Sequence, residues 1–145
     1  MTSFDERTGL EVMPIEECWQ HLLAGTVGRL GVCVGSHPDI FPINYAVEGG
    51  TAGSALLIRT APGTKLAAAV LGSAVAFEID DIDAEHHQGW SVVVHGHATE
   101  VENLEELLAL EDAEDGPEPW AEGVRSRFVR LHPDEVTGRR LPEPD

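Results

Sequence analysis

The chain has 145 residues with 26 acidic and 9 basic side chains, a formal charge of -17, and 42% of its residues are hydrophobic. That is the size and composition of one folded domain, and so negative a field repels phosphodiester backbones, so nucleic acid is not an expected partner. No apolar run approaches eighteen residues and the start "MTSFDERTGLEVM" has no apolar signal-peptide region, so neither a membrane span nor a secretory leader is expected, and a cytoplasmic location follows.

Residues 1–12 read as a flexible N-terminal arm within a single domain covering 1–145. "MPIEECWQHLLAG" then places Ile15, Cys18, Trp19, Leu22 and Leu23 on one helical face, with Pro14 at the start and Gly25 at the C′ position. "VGRLGVCV" alternates as a strand. "GSHPD" reads as a turn and "IFPINYAV" as a second strand, in which Pro42 requires an edge or a bulge. "EGGTAGS" turns the chain into "ALLIR", a third strand. From Gly63 to Leu71 the residues favour a short helix, with Gly72 as its stop.

"SAVAFEID" is a fourth strand and "DIDAEHHQG" a polar excursion. "WSVVVHGHATEV" is the longest β-type run, with a bulge or bend expected at Gly96. Asn103 followed by Glu106 predicts a capped helix start with Leu104, Leu107 and Leu108 on one face. Residues 111–119, "EDAEDGPEP", read as a solvated acidic loop. "SRFVRLHPDEVTGRRL" supplies a last short strand and a basic tail. Many short strands, few helices and no Gly-x-Gly-x-x-Gly motif point to a mainly β barrel or sandwich rather than a parallel α/β sheet.

The stretch "RTAPGTKL" holds the only lysine of the chain. A strand end, a Pro-Gly turn and a helix start gather Arg59, Thr60, Thr64 and Lys65, a set able to hold a phosphate through cations, hydroxyls and free backbone N–H groups. The competing account is purely structural. Thr64 would cap the helix, and Arg59 and Lys65 would pair with nearby carboxylates at about 0–1 kcal/mol each.

The succession "FPINYAV", "ALLIRTAPGTKL", "AVAFEID", "GWSVVVHGHATEV" and "PWAEGVRSRFVRLHPDEVTGRR" resembles the pyridoxamine 5′-phosphate oxidase-like family from about Ile15 to Arg140. The resemblance implies a six-stranded Greek-key split β-barrel with short flanking helices, and a homodimer with two FMN sites between its subunits. It implies that Arg59, Thr60, Thr64 and Lys65 hold the flavin phosphate. Pro42, Ile43, Asn44 and Tyr45 would lie along the isoalloxazine, and Trp90 and Ser91 would form a second contact with it. The activity implied is a flavin-dependent oxidoreductase acting on a small molecule, with a nicotinamide as possible donor. The authentic oxidase has a longer chain and further basic residues, so vitamin B6 chemistry does not follow. Alternatives are a deazaflavin (F420) reductase in the same groove, or a non-catalytic module carrying a cofactor or haem.

The remaining candidates have bland readings beside the sharp ones. His95 and His97 project from one side of a strand, and with His37 they are the residues a haem carrier would use. No third metal ligand follows from spacing, so no metal site is expected. His86 and His87 read as part of a solvated turn. Tyr45 and Trp19 read as packing, and Cys18 and Cys33 as buried, reduced thiols. No nucleophile–base pattern is present, and no catalytic residue is assigned.

Overall fold

Apolar side chains two residues apart build the interior of this protein. In the computed structural model, which describes residues 2–60, 70, 74–112 and 127–142, Leu30 and Val32 face inward from one strand. Ile43, Tyr45 and Val47 do so from the next, and Val75, Phe77 and Ile79 from a third. A period of two on every wall requires strands with one dry face.

The elements are β1 (Ser3–Phe4), β2 (Glu11–Val12), α1 (Ile15–Ala24), β3 (Val27–Val34), β4 (His37–Val47), a 3-10 turn (Glu48–Gly50), β5 (Leu56–Thr60), β6 (Ala74–Asp83), β7 (Gln88–Glu100), α2 (Leu104–Asp112) and β8 (Arg127–Arg140). Their order in the sheet is β1-β2-β8-β5-β4-β3-β6-β7, and β7 pairs back onto β8. Every pairing in the ring β8-β5-β4-β3-β6-β7 is antiparallel, so six strands close into a barrel. Closure leaves the core strands with few open edges, as a small barrel requires.

Helix α1 closes one mouth of this barrel. It turns Cys18, Trp19 and Leu22 inward, while Ile15 and Leu23, counted on the same apolar face in the sequence, stay exposed. The C-terminal end of α1 is tied to β4, where the Tyr45 hydroxyl donates to the Leu22 carbonyl at 2.6 Å. Gly25 has an ordinary φ of -84° and is required for space, since a Cβ there would run into the Tyr45 hydroxyl. On β8, Gly138 lets the helix sit close: a Cβ would come within 2.5 Å of Cys18 Sγ and 3.0 Å of Met13 Cβ.

Several local expectations are met for the stated reasons. Asn103 Oδ1 accepts from the Glu106 backbone N–H at 3.1 Å and caps α2. The register of β7 against β8 shifts between His95 and Gly96. Pro42 pairs with Arg29 of β3, and β5 meets β4 only from Tyr45 to Val47. Among the described residues no strand pairs with 37–43 on that side, so the missing N–H of Pro42 costs no ladder bond.

Elsewhere the structure corrects the sequence. The last strand is long, 14 residues, because it closes the ring and pairs with β5, β7 and β2 in turn. The excursion after "AVAFEID" is a hairpin whose strands continue to Asp83 and resume at Gln88, with His87 at φ 53° in the turn. Cys33 is exposed, since it falls on the outward side at the end of β3. The N-terminal arm forms the β1–β2 hairpin, laid on the end of β8. Asp5 joins its turn to the barrel, accepting from Arg7 Nη2 at 3.2 Å and Arg139 Nε at 3.1 Å. The helix expected at 63–71, apart from the buried Val70, and residues 113–119 of the acidic loop lie outside the described residues.

Candidate outer-wall binding site

The same alternation that fills the core sends every second residue to the outer wall, and register aligns those residues across strands. Val27 of β3 pairs with Asn44 of β4, and Asp80 of β6 pairs with Ser91 of β7. The pairing of β3 with β6 ends at Arg29–Glu78, and Val27 and Asp80 are the next outward residues on their strands. The pairing of β4 with β5 ends at Tyr45–Ile58, and Asn44 and Arg59 are the next residues on their strands. Arg59, Asn44, Val27, Asp80 and Ser91 thus form a belt of outward positions on five strands, paired at Val27–Asn44 and at Asp80–Ser91. A neighbouring row carries Pro42, Arg29, Glu78 and Val93.

This geometry sorts the predicted site residues. Pro42, Asn44, Arg59 and Ser91 are on the outward side. Ile43 and Tyr45 belong to the core, so toward the outer wall they present only backbone. Burial pushes the Tyr45 phenol up to about 12, and its hydroxyl is engaged by the helix end. Thr60 is buried and shares the inward parity of Ile58. The Trp90 ring packs against the core and stacks on His21 of α1, centroids 3.7 Å apart. Thr64 and Lys65 lie outside the described residues. Arg59 packs its guanidinium over Phe128, 5.2 Å from the ring centroid, which steadies the cation at the end of the belt.

Sequence reasoning missed three charged residues in the middle of the wall. Arg29 Nη2 lies 3.0 Å from Glu78 Oε1 and 2.6 Å from Asp80 Oδ2. Burial, then the neighbouring Asp80, pushes Glu78 up to about 7. The hydrogen bond with Glu78 and that from Arg29 hold Asp80 below the usual carboxylate range. The available signal was the outward parity of Glu78 and Asp80 inside an apolar strand, matched by the one charge in "VGRLGVCV".

The histidines go elsewhere. His97 and His132 stack at 5.1 Å, His97 Nδ1 meets Asp134 at 3.3 Å, and Thr99 Oγ1 meets His132 Nε2 at 2.9 Å. His86 Nδ1 meets Asp83 in the β6–β7 turn at 2.7 Å. Among the described residues no group of three His, Cys, Asp or Glu side chains could hold a metal ion. No helix among them is long and apolar enough to cross a membrane. Beyond the charged row, Gly31, Pro38, Ile40, Ala74, Ala76 and His95 line an open, largely apolar groove of about 340 Å³.

A closed ring of six antiparallel strands, plugged by one helix and carrying its polar belt outside, is a split β-barrel. The chain belongs to the pyridoxamine 5′-phosphate oxidase family, whose sequence profile matches residues 14–140. Its barrel is similar to that of an FAD-binding protein from Mycobacterium smegmatis (38% identity, TM-score 0.75, covering 92% of this chain and 99% of that one). It is also similar to a conserved protein of unknown function from Corynebacterium diphtheriae (31% identity, TM-score 0.74, 92% and 98%). Among curated relatives, the uncharacterized protein Rv0080 of Mycobacterium tuberculosis is 33% identical over 131 residues, 87% of this chain and 82% of the other.

Proposed function

We propose that this protein binds a flavin nucleotide along the outer belt of its barrel and works as a flavin-dependent oxidoreductase on a small molecule. The observation that carries the reading is the belt itself. It has a cation and an amide at one end, Arg59 and Asn44, and the short, stiff side chains of Pro42 and Val27 beside them. This donor set fits the group. Arg59 suits a phosphate, Pro42 and Val27 a flat ring, and the strand edge at 37–43 offers backbone groups to the ring's polar rim. Thr64 and Lys65, which follow Arg59 in sequence, would complete the phosphate cradle.

Bound there, the flavin supplies hydride and electron transfer, with a nicotinamide as donor. The chain's part is positioning. Arg59 anchors one end, the wall of β4 and β3 sets the plane, and Ser91 offers a hydroxyl at the far end. A ring displaced from line with its donor would lose rate steeply.

The reading includes a second copy of the chain. Ile40 stands 71% exposed on the apolar groove beyond the charged row, and a large aliphatic in such a patch favours a covered state. A dimer formed across this wall would close over both ligands and exclude water.

FMN is the expected form, and the relative in Mycobacterium smegmatis, an FAD-binding protein, sets FAD beside it. The test is the visible spectrum of the gently purified protein, with mass spectrometry of whatever acid releases and titration of the apo-protein with FMN, FAD and F420. Oxidised-flavin bands with released FMN or FAD support the reading and identify the nucleotide. Uptake of F420 alone would redirect it to deazaflavin chemistry. A colourless protein that takes up none of the three would end it.

A further inference from the structure

Arg29, Glu78 and Asp80 are used neither by the core nor by the phosphate end of the belt, yet they stand at its centre. Arg29 lies between Pro42 and Glu78 in one row, and Asp80 lies opposite Ser91 in the next. Glu78 and Asp80 are two residues apart on β6, so their carboxyls share the outer face. Each side chain retains only 30% of its exposure. From the strands packed against it, Glu78 faces Arg29 on β3 and the uncharged Val93 on β7.

One guanidinium balances one carboxylate. Two carboxyls this close do not both ionise easily, and they titrate as a pair rather than singly. With Asp80 held ionised against Arg29, Glu78 is left as the carboxyl that exchanges its proton near neutrality. Protonated, it leaves the trio neutral. Ionised, it gives the wall one net negative charge.

We propose that Glu78, pinned with Asp80 by Arg29, takes up a solvent proton when the flavin site on this wall gains electrons. The proposal rests on the flavin assignment above. Hydride transfer from a nicotinamide-class donor leaves the site one negative charge richer. A new negative charge within about two strand spacings, roughly 10 Å, favours the protonated form of a carboxyl. One Glu78 oxygen then gains an O–H bond to a proton from solvent, and no bond within the chain breaks. Reoxidation by a small-molecule acceptor removes the charge and returns the proton to solvent, so charge and atoms balance over the cycle.

The experiment compares the flavin-loaded protein with its Glu78→Gln variant, in which Arg29 keeps Asp80 as partner. Flavin retention is measured first, then midpoint potential against pH on both sides of neutrality, and the reduced-minus-oxidised infrared difference spectrum. The expected result is a potential that falls more steeply with pH in the wild type, by up to about 30 mV per pH unit. That figure is a tenfold change in proton activity converted at the two-electron constant. A protonated-carboxyl band should also appear on reduction and be missing in the variant. Equal slopes and no such band in a flavin-loaded wild type overturn the proposal while leaving the flavin assignment intact. A wild type that takes up no flavin overturns both. If the variant loses flavin, the wild-type band decides alone: a shift on labelling glutamate with carbon-13 upholds the proposal, and its absence overturns it.

Discussion

The Tyr45 hydroxyl, buried in the barrel mouth, donates a 2.6 Å hydrogen bond to the Leu22 carbonyl and so fastens β4 to the last turn of α1. It also meets Phe77 edge-on at 4.8 Å, which places the phenol in the core rather than at the outer wall. Tyr45→Phe removes the donor and leaves that carbonyl unsatisfied, a loss of about 1–3 kcal/mol. Chemical denaturation should show the lower midpoint, and flavin affinity should stay at the wild-type value. A large drop in affinity at unchanged stability would return Tyr45 to the binding site.

Gly138 is a second test of the same mouth. A methyl group there would press on Cys18 Sγ and Met13, both buried in the core beneath α1. Gly138→Ala should destabilise by about 1–3 kcal/mol, as overpacking of a filled core does. Thermal unfolding measures it. A wild-type melting temperature would mean that α1 has room to lift.

Arg59→Ala removes the described cation at the end of the belt and with it the guanidinium packed over Phe128. A charge-assisted contact to phosphate contributes about 1.5–3 kcal/mol, so affinity for FMN should fall roughly 10- to 100-fold. Riboflavin, which lacks the phosphate, should bind the variant and the wild type alike. Equal losses for both ligands would show that Arg59 supports the wall and not the phosphate.

The N-terminal hairpin should be acid-labile. Hydrogen bonds from the Arg7 side chain and backbone, then from Arg139, lower Asp5 to about 2. Because the folded value is depressed, this stabilisation is complete above the ordinary carboxylate range and is lost as pH falls from about 4 toward 2. Amide exchange at residues 3–12 should accelerate in that window. Asp5→Asn should show the faster exchange already at neutral pH.

Glu78 has the opposite sign. Its carboxyl is raised to about 7, so between the ordinary glutamate value and 7 the folded state binds more protons than the unfolded one. Stability contributed by this group therefore declines as pH rises through that interval. Glu78→Gln should flatten this part of the stability–pH profile, measured by denaturant titration. A profile identical to the wild type would mean that Glu78 ionises normally.

Much of the barrel was legible because its signals are local. Alternation in "VGRLGVCV" and "SAVAFEID" marks half-buried strands, Asn103 with Glu106 marks a helix start, and Pro42 marks an edge. Those features depend on covalent geometry and on neighbours within a few residues, which any sequence displays. The family resemblance extended them to a closed ring.

What only the tertiary structure decided is which residues share a wall. The length of β8 could not be read locally, because its second half is a strand only through β7 and β2 beside it. Pro42, Ile43, Asn44 and Tyr45 are contiguous in sequence, yet the two-residue period sends Ile43 and Tyr45 to the core and Pro42 and Asn44 outward. Arg29 and Glu78 are 49 positions apart and meet only because β3 and β6 pair in that register. The sequence by itself determined where most of the strands fall and where the α2 start and the Pro42 edge lie. Register, which depends on the closure of the whole ring, decided which charges face one another on the outer wall.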